Sequence, residues 1–276
     1  MPTLQRPDGV EIHWEERGSG PPVVIAAYWS MHPAALEPLM EELGGDHRVV
    51  RYDDRGTGAS SRSGPYDLAT ATDDLEALLE ELGEPAVVTG TADGPVRAVR
   101  VAARRPELVR AVVAIGGAPI GRTAFAESDT LVASEPVVQA LLAQMKTDYR
   151  GGLRGLVTAT NEQMSEDELR ERVAAQAEHC PADAATPRLR DWASDDATEE
   201  SLVVGDKLWV LVSEAMTGGW FPAGTEMAGF VREILPEAQI ADIADGWVSR
   251  PDETARIIRG ITAKAAAVTG EGKGGA

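Results

Sequence analysis

The sequence has little cysteine, few aromatic residues and a deficit of basic charge. Cys180 is the only cysteine among 276 residues, which excludes an intramolecular disulfide and a cysteine-rich metal site. Lysine and arginine together number 26, against 45 aspartate and glutamate residues, and the formal net charge is −19. Because nucleic acids and anionic membranes bind basic protein surfaces, neither is expected as a partner.

Long apolar runs and metal-binding patterns are also missing. No run of about 18 apolar residues occurs, so no transmembrane helix is expected. Residues 1–8 lack the apolar core of a secretory signal, and we expect a cytoplasmic protein. No His-x-x-x-His or Cys-x-x-Cys spacing is present, so we predict neither a metal nor a cofactor. The oligomeric state stays open, and the Ala- and Gly-rich composition is typical of a bacterial protein from a GC-rich genome.

Short β-branched runs alternate with helical patterns along most of the chain. Strands are predicted over 10–17, 23–27, 47–52, 86–89, 108–115, 207–213 and 239–243. Helices are predicted over 33–43, 67–82, 95–104, 225–235 and 252–268. Strands that alternate with helices at this spacing form a mostly parallel sheet with helices on both faces.

A long strand-poor stretch interrupts this alternation. Within it, helices are predicted over 135–149 and 165–179, and Ser165 and Glu168 form a capping box at the start of the second helix. The predicted units are 1–119 and 206–268 for the two parts of one core, 120–205 for a helical insertion, and 269–276 for a frayed tail.

A tight turn between a predicted strand and a predicted helix is the most informative feature for chemistry. Its sequence is Gly90-Thr91-Ala92-Asp93-Gly94. This is the layout of a nucleophile elbow, the strained turn of the form G-x-S-x-G that exposes an attacking side chain. The two glycines permit the turn because they carry no Cβ. Ala92 stands where the attacking residue is expected, and a methyl group cannot attack a substrate.

The order of elements and three local matches resemble the α/β-hydrolase fold. The segment 52–60 reads Tyr-Asp-Asp-Arg-Gly-Thr-Gly-Ala-Ser and is similar to the family's Y-D-x-R-G-x-G-x-S turn. The segment 102–110 is similar to its A-A-x-x-P-E-x-V stretch, and the helical insertion lies where the family carries its cap. The resemblance covers nearly the whole chain and implies a central, mostly parallel sheet with helices on both faces and a helical cap.

The resemblance also implies a nucleophile, an acid, a histidine and an oxyanion hole. The matching positions hold Ala92 for the nucleophile, Met216 for the acid and Trp247 for the histidine, and no histidine follows His179. The oxyanion loop reads Ala-Ala-Tyr-Trp-Ser over 26–30, where the family has His-Gly. We therefore expect a pseudoenzyme, a divergent member with a degenerate catalytic triad and without the usual serine-hydrolase activity.

The favoured hypothesis is a protein that binds a small apolar or aromatic molecule beneath the cap, in a sensor, carrier or accessory role. Aromatic residues make up only 5% of the chain, yet several map to loops at the carboxyl edge of the sheet, where α/β proteins bind ligands. The predicted ligand-binding residues are Tyr28, Trp29, Trp220 and Trp247 as walls, Ala92 at the floor and Asp93 beside it. Equally, the four rings could fill a site that the triad has vacated.

A second hypothesis is an enzyme with other acid–base chemistry: a lyase, an isomerase, a cyclase or an atypical hydrolase. Its candidate residues are Tyr28, His32, Asp93, Glu214 and Asp245. The pKa of an unperturbed histidine, about 6.5, suits His32 to general-base catalysis, but the residue equally suits a helix start before Pro33. Asp93 is one position out of register with the nucleophile, and we favour its interpretation as a carboxylate in the first turn of a helix, where the helix dipole stabilises it.

Overall fold

The computed structural model describes residues 2–121, 129–160, 164–214, 224–244 and 250–271. Its centre is an eight-stranded sheet with the order β1-β2-β4-β3-β5-β6-β7-β8. The strands are β1 (Thr3–Gln5), β2 (Glu11–Arg17), β3 (Pro22–Ala26), β4 (Arg48–Tyr52), β5 (Ala86–Gly90), β6 (Val109–Ile115), β7 (Leu208–Val212) and β8 (Gln239–Asp242). The pairings of β2 with β1 and with β4 are antiparallel, and all the other pairings are parallel.

Helices connect most of the strands. They are α1 (Glu37–Leu43), α2 (Leu68–Leu82), α3 (Asp93–Arg104), α4 (Asp129–Thr147), α5 (Tyr149–Thr160), α6 (Glu166–His179), α7 (Ala182–Ala193), α8 (Thr198–Val204), α9 (Gly224–Ile234) and α10 (Pro251–Glu271). Within the described ranges, no helix combines the length and the apolar character needed to cross a lipid bilayer.

The sheet is buried on both faces, which explains why its central strands read as continuous apolar runs. Val24 of β3 packs in a core cluster with α2, α3 and α9, whereas its neighbours Val23 and Ile25 pack on the opposite face with α1 and α10. Every residue of β3 and β5 is buried. The prediction of a mostly parallel sheet with helices on both faces is confirmed.

The helices α4 to α8 lie in the chain between β6 and β7, and we refer to residues 129–204 as the helical segment. A third apolar cluster lies between this segment and the loop that follows β3, with Trp29 from the loop packed against residues such as Leu153 and Leu189. The predicted capping box is present at α6, where the Ser165 hydroxyl accepts from the Glu168 backbone N–H and the Glu168 carboxylate accepts from the Ser165 N–H.

Some element boundaries differ from the predictions for local reasons. The predicted helix over 33–43 is a 3-10 turn over Pro33–Ala35 followed by α1, because Pro38 has no N–H to continue the helical hydrogen bonds. The short strand β1 was not predicted, since three residues carry too little alternation to be recognised.

Candidate active site

The turn after β5 has the backbone geometry of a nucleophile elbow. Ala92 adopts φ 50° and ψ −113°, and within the described ranges it is the one non-glycine residue with positive φ. Gly90 and Gly94 both pack against the backbone of Ala26: a Cβ on either would lie 2.1 Å or 2.0 Å from its carbonyl oxygen. Holding an alanine in such a conformation costs on the order of 1–3 kcal/mol, which the surrounding packing must offset.

The side chain at the tip of this turn is a half-buried methyl group. A methyl group carries no lone pair, so no covalent intermediate can form on Ala92. The chain therefore has the strained backbone of a nucleophile elbow, but the residue at its tip has no atom that can attack a substrate.

Asp93, the next residue, is fully buried in a network of hydrogen bonds and ion pairs. Its Oδ1 accepts the backbone N–H of Trp29 at 3.0 Å, and its Oδ2 accepts from Arg188 Nε at 3.2 Å and lies 3.4 Å from Arg97 Nε. Asp93 thus holds the loop after β3 and the helical segment against the start of α3. A carboxylate with no exposed surface and three partners is poorly placed to attack a substrate.

Asp54 completes the same buried network. Arg97 Nη1 donates to its Oδ1 at 2.9 Å, and Arg188 Nη2 donates to its Oδ2 at 3.3 Å. Burial raises the pKa of the Asp54 carboxyl, but the two guanidinium groups outweigh burial and hold that pKa below its ordinary value. Two carboxylates and two guanidinium groups therefore face one another at the junction of the core and the helical segment.

The predicted aromatic wall lies only partly within the described residues. The rings of Tyr28 and Trp29 meet edge to face with centroids 6.0 Å apart, and the Trp29 side chain is buried against the helical segment. The Tyr28 hydroxyl accepts from Gln176 Nε2 at 3.2 Å, and burial raises its pKa. Both rings fill the junction between core and helical segment. Met216, Trp220, Asp245 and Trp247 lie outside the described residues.

Another acid–base candidate, Glu214, lies at the surface. Its Oε1 accepts from both the backbone N–H and the hydroxyl of Thr225 at 2.8 Å and 2.9 Å, and these hydrogen bonds lower the pKa of its carboxyl. Glu214 therefore fixes the start of α9.

Two histidines that are far apart in sequence come together at a cavity of about 320 Å³. The rings of His32 and His179 have centroids 5.5 Å apart and planes inclined by 63°. The lining consists of His32, Gly58, Arg62, Ala175, Glu178 and His179. His32 also caps the 3-10 turn, since its Nδ1 accepts the Ala34 N–H at 3.2 Å. The position of His32 fits both of its predicted interpretations, since the residue caps the 3-10 turn and also lines the cavity.

A buried carboxylate lies behind this pair. His179 Nε2 is 3.9 Å from Asp53 Oδ1, and the Ala59 N–H fixes Asp53 by donating to its Oδ2 at 2.9 Å. Burial is the largest effect on both rings and lowers the pKa of His32 and of His179 below 6.5. Both imidazoles are therefore largely neutral near pH 7, the form in which a ring nitrogen can accept a proton.

Sequence reasoning missed this constellation because its members share no motif. His32 follows β3, Asp53 follows β4, and His179 ends α6. A usable signal was the turn after β4, whose residues lie at the carboxyl edge of a parallel sheet beside those that follow β3. Within the described ranges, no three histidine, cysteine, aspartate or glutamate side chains are grouped so that they could hold a metal ion.

Two curated relatives match part of the chain rather than the whole of it. A 2-(acetamidomethylene)succinate hydrolase from Mesorhizobium japonicum is 32% identical over 133 residues, which cover 48% of this chain and 46% of the relative. A pimeloyl-acyl-carrier protein methyl ester esterase from Vibrio campbellii is 31% identical over 108 residues, which cover 39% of this chain and 41% of the relative. The chain thus spans less than half the length of these relatives.

Solved structures share the fold over nearly the whole chain. An enol-lactonase from Burkholderia xenovorans superposes with a TM-score of 0.71 at 20% identity, covering 95% of this chain and 100% of that one. At this identity the likeness concerns the fold alone.

The names of the relatives correct the functional prediction. One of these curated relatives is named as a hydrolase and the other as a methyl ester esterase, and the prediction of a non-catalytic binding protein or pseudoenzyme is wrong. The prediction gave too much weight to the elbow: a methyl group there removes one nucleophile, but it does not exclude hydrolysis, because a base can activate water for direct attack. The lyase, isomerase and cyclase alternatives have no counterpart among these names.

A family model also matches the chain, over residues 16–257, and it is described as the alpha/beta hydrolase family. That match covers the elbow, the histidine pair and the whole helical segment. The chain belongs to the alpha/beta hydrolase family.

Proposed function

We propose that this protein is a hydrolase of small carboxylic esters in which water, rather than a side chain, attacks the substrate. Two observations support hydrolysis: the family, and the curated relatives named as a hydrolase and an esterase of acyl compounds. The observation that carries the choice of water is the elbow, which presents the methyl group of Ala92 where the family places its nucleophile.

The surroundings of the elbow support the same choice. In this family the backbone N–H groups of the loop after β3 and of the residue after the nucleophile stabilise the oxyanion. Here the Trp29 N–H in that loop already donates to Asp93, so it is not free for a substrate oxygen. The sequence places Met216 and Trp247 at the acid and histidine positions. We therefore propose that this protein lacks the family's usual catalytic triad.

The experiment is a hydrolysis assay with p-nitrophenyl acetate and butyrate, together with a panel of small methyl esters followed by pH-stat titration. We expect turnover above the buffer rate, with no burst of product in the first turnover and no labelling by a fluorophosphonate. Bursts and labelling are signs of an acyl-enzyme, which Ala92 cannot form.

A single-turnover reaction in H₂¹⁸O identifies the attacking atom. With water as the nucleophile, the acid product carries ¹⁸O in the first turnover and the protein gains none. Unlabelled first-turnover product, with ¹⁸O in the protein afterwards, would assign the attack to a carboxylate and overturn the role of water. Wild-type protein that turns over no ester of the panel would overturn the proposed function itself.

A further inference from the structure

We infer that the cavity between the core and the helical segment is the hydrolytic centre, with His179 as the base that activates water and His32 as the donor to the ester carbonyl. This inference rests on the proposed function and adds a location and two roles to it. The location differs from the elbow, where the family keeps its reacting atoms. The two rings meet edge to face with centroids 5.5 Å apart, and both line an open cavity of about 320 Å³, large enough for a small ester and a water molecule.

The hydrogen bond to His32 fixes which of its nitrogens carries the proton. Nδ1 accepts the Ala34 N–H, so in the neutral ring the proton is on Nε2. That Nε2–H is a donor, the group needed to stabilise negative charge on a carbonyl oxygen during attack. His32 thus supplies a donor in place of the Trp29 N–H that Asp93 occupies.

Asp53 fixes the complementary arrangement at His179. Its carboxylate lies 3.9 Å from Nε2, too far for a hydrogen bond but close enough to favour the proton on that nitrogen. The lone pair of neutral His179 is then on Nδ1, which can accept a proton from water. Asp53 does not touch the substrate in this scheme and is a positioning residue.

Close packing keeps the base and its carboxylate together. Gly58 adopts φ +48°, and a Cβ there would lie 2.2 Å from Asp53 Oδ2 and 2.7 Å from His179 Cε1. The Gly58 N–H also donates to the His179 carbonyl at 2.8 Å, which ties the end of α6 to the turn after β4. The absence of a side chain at Gly58 is therefore what allows the carboxylate to approach the ring.

The substrate class follows from the lining of the cavity. Its rim carries one cation, Arg62, and one anion, Glu178, and Arg62 Nη2 donates to the Glu178 carbonyl at 3.2 Å. Opposite charges at the rim favour a small neutral ester over a strongly charged one. The net charge of −19 on the chain disfavours polyanionic substrates as well.

The reaction balances without a cofactor. His179 Nδ1 takes one proton from water as the water oxygen bonds to the acyl carbon, and the His32 Nε2–H bonds the carbonyl oxygen that becomes negative. The tetrahedral intermediate collapses, the bond from the acyl carbon to the alcohol oxygen breaks, and the imidazolium of His179 gives its proton to that oxygen. The products are one carboxylic acid and one alcohol.

Charged groups on several elements face the two rings. The pKa of His179 is raised by Asp53 and Asp54 and lowered by Arg51. The pKa of His32 is lowered by Arg172 and Arg51 and raised by Asp53 and Glu178. His32 also lowers the pKa of His179. Since the base must be neutral, kcat/KM should fall as the pH drops through the depressed pKa of His179, so half-maximal activity should occur below pH 6.5.

The central test compares three glutamine variants in the ester assay. His179→Gln should lower kcat/KM by about 10²–10⁴-fold, the usual contribution of a general base. His32→Gln should lower kcat with little change in KM, because its hydrogen bond strengthens as charge develops. His47→Gln is the matched control: His47 bonds Asp46, lies outside this cavity and should leave kcat/KM within about twofold of the wild type.

Asp53→Asn adds a readout that a purely structural role would not move. Loss of the negative charge should shift the acidic limb of the pH profile to lower pH, because Asp53 raises the pKa of His179. Folding of each variant is checked by circular dichroism. Turnover in wild-type protein that survives in folded His179→Gln overturns this inference and leaves the proposed function standing.

Nitrogen NMR of ¹⁵N-histidine-labelled protein tests the site independently of turnover. At pH 7 we expect neutral rings for both residues, with the proton on Nε2 of each. A protonated His179, or a His32 ring with its proton on Nδ1, overturns the assigned roles even when the ester assay is positive.

Discussion

Replacement of Arg188 by methionine should strongly destabilise the protein. Arg188 projects from α7 of the helical segment and is 3% exposed, and it donates to Asp93 and Asp54, which are 0% and 8% exposed. Methionine keeps much of the side-chain volume but removes the charge and the donors. Arg97 then remains as the single guanidinium facing two buried carboxylates.

The magnitude follows from this charge balance. In the wild type the four groups are neutral as a set, whereas the variant buries one uncompensated negative charge. Breaking a buried pair by removing one partner costs about 3–5 kcal/mol, and we expect a loss of unfolding free energy in that range. Arg190→Met is the matched control on the same helix: Arg190 is exposed and pairs with its half-buried neighbour Asp191 at the surface, so its loss should cost about 1 kcal/mol or less.

Urea unfolding followed by circular dichroism measures both variants, and a pH series adds a sign test. The folded pKa of Asp54 is lowered, so its contribution to stability is present above its unfolded pKa and is lost as the pH falls through the folded value. The difference between wild type and Arg188→Met should therefore be largest near neutral pH and should shrink on acidification. Equal losses for Arg188→Met and Arg190→Met, or a difference that grows at low pH, would refute the reasoning.

Three further predictions concern the elbow and the helix ends. Gly94→Ala should destabilise the fold by several kcal/mol, because its Cβ would lie 2.0 Å from the Ala26 carbonyl oxygen. Gly155→Ala, at an exposed position of α5 with nothing within 4 Å of the added Cβ, should stabilise the fold by about 0.5–1 kcal/mol, and thermal unfolding compares the two variants. Ser165→Ala should cost about 1 kcal/mol in urea unfolding through loss of the capping box, and an unchanged midpoint would contradict that assignment. Ala92→Ser should acquire neither fluorophosphonate labelling nor a product burst, because a serine hydroxyl needs an adjacent base; intact-mass detection of a stable acyl adduct would contradict this.

The fold was predictable because its signals are local. The apolar periodicity of α2, the glycine that ends it at Gly83 and the buried runs of β3 and β5 each follow from spacing along a few residues. Where local signals were short, as in β1, or interrupted, as at Pro38, the boundaries were not predicted correctly.

The candidate site was less predictable because its contacts are long-range. Ala92 at the elbow was predicted from the motif, and its strained backbone is present. One partner of Asp93, however, is Arg188, 95 residues further along the chain, and no periodicity relates the two. The pairing of His32 with His179 likewise depends on where α6 ends over the sheet. The ligand-wall roles of Trp220 and Trp247 stay predictions.

The position of the helical segment has a consequence for how freely this chain can change. Adjacent strands β6 and β7 are separated by about 90 residues, against about 15 in a minimal crossover. Because each doubling of a closed loop costs only about 0.6 kcal/mol, this connection costs about 1.6 kcal/mol more in closure entropy than the minimal one. Insertions and deletions between β6 and β7 are therefore inexpensive in chain entropy. Such insertions and deletions are restricted instead by packing, because the segment must still place Arg188 within hydrogen-bonding distance of the two buried carboxylates of the core.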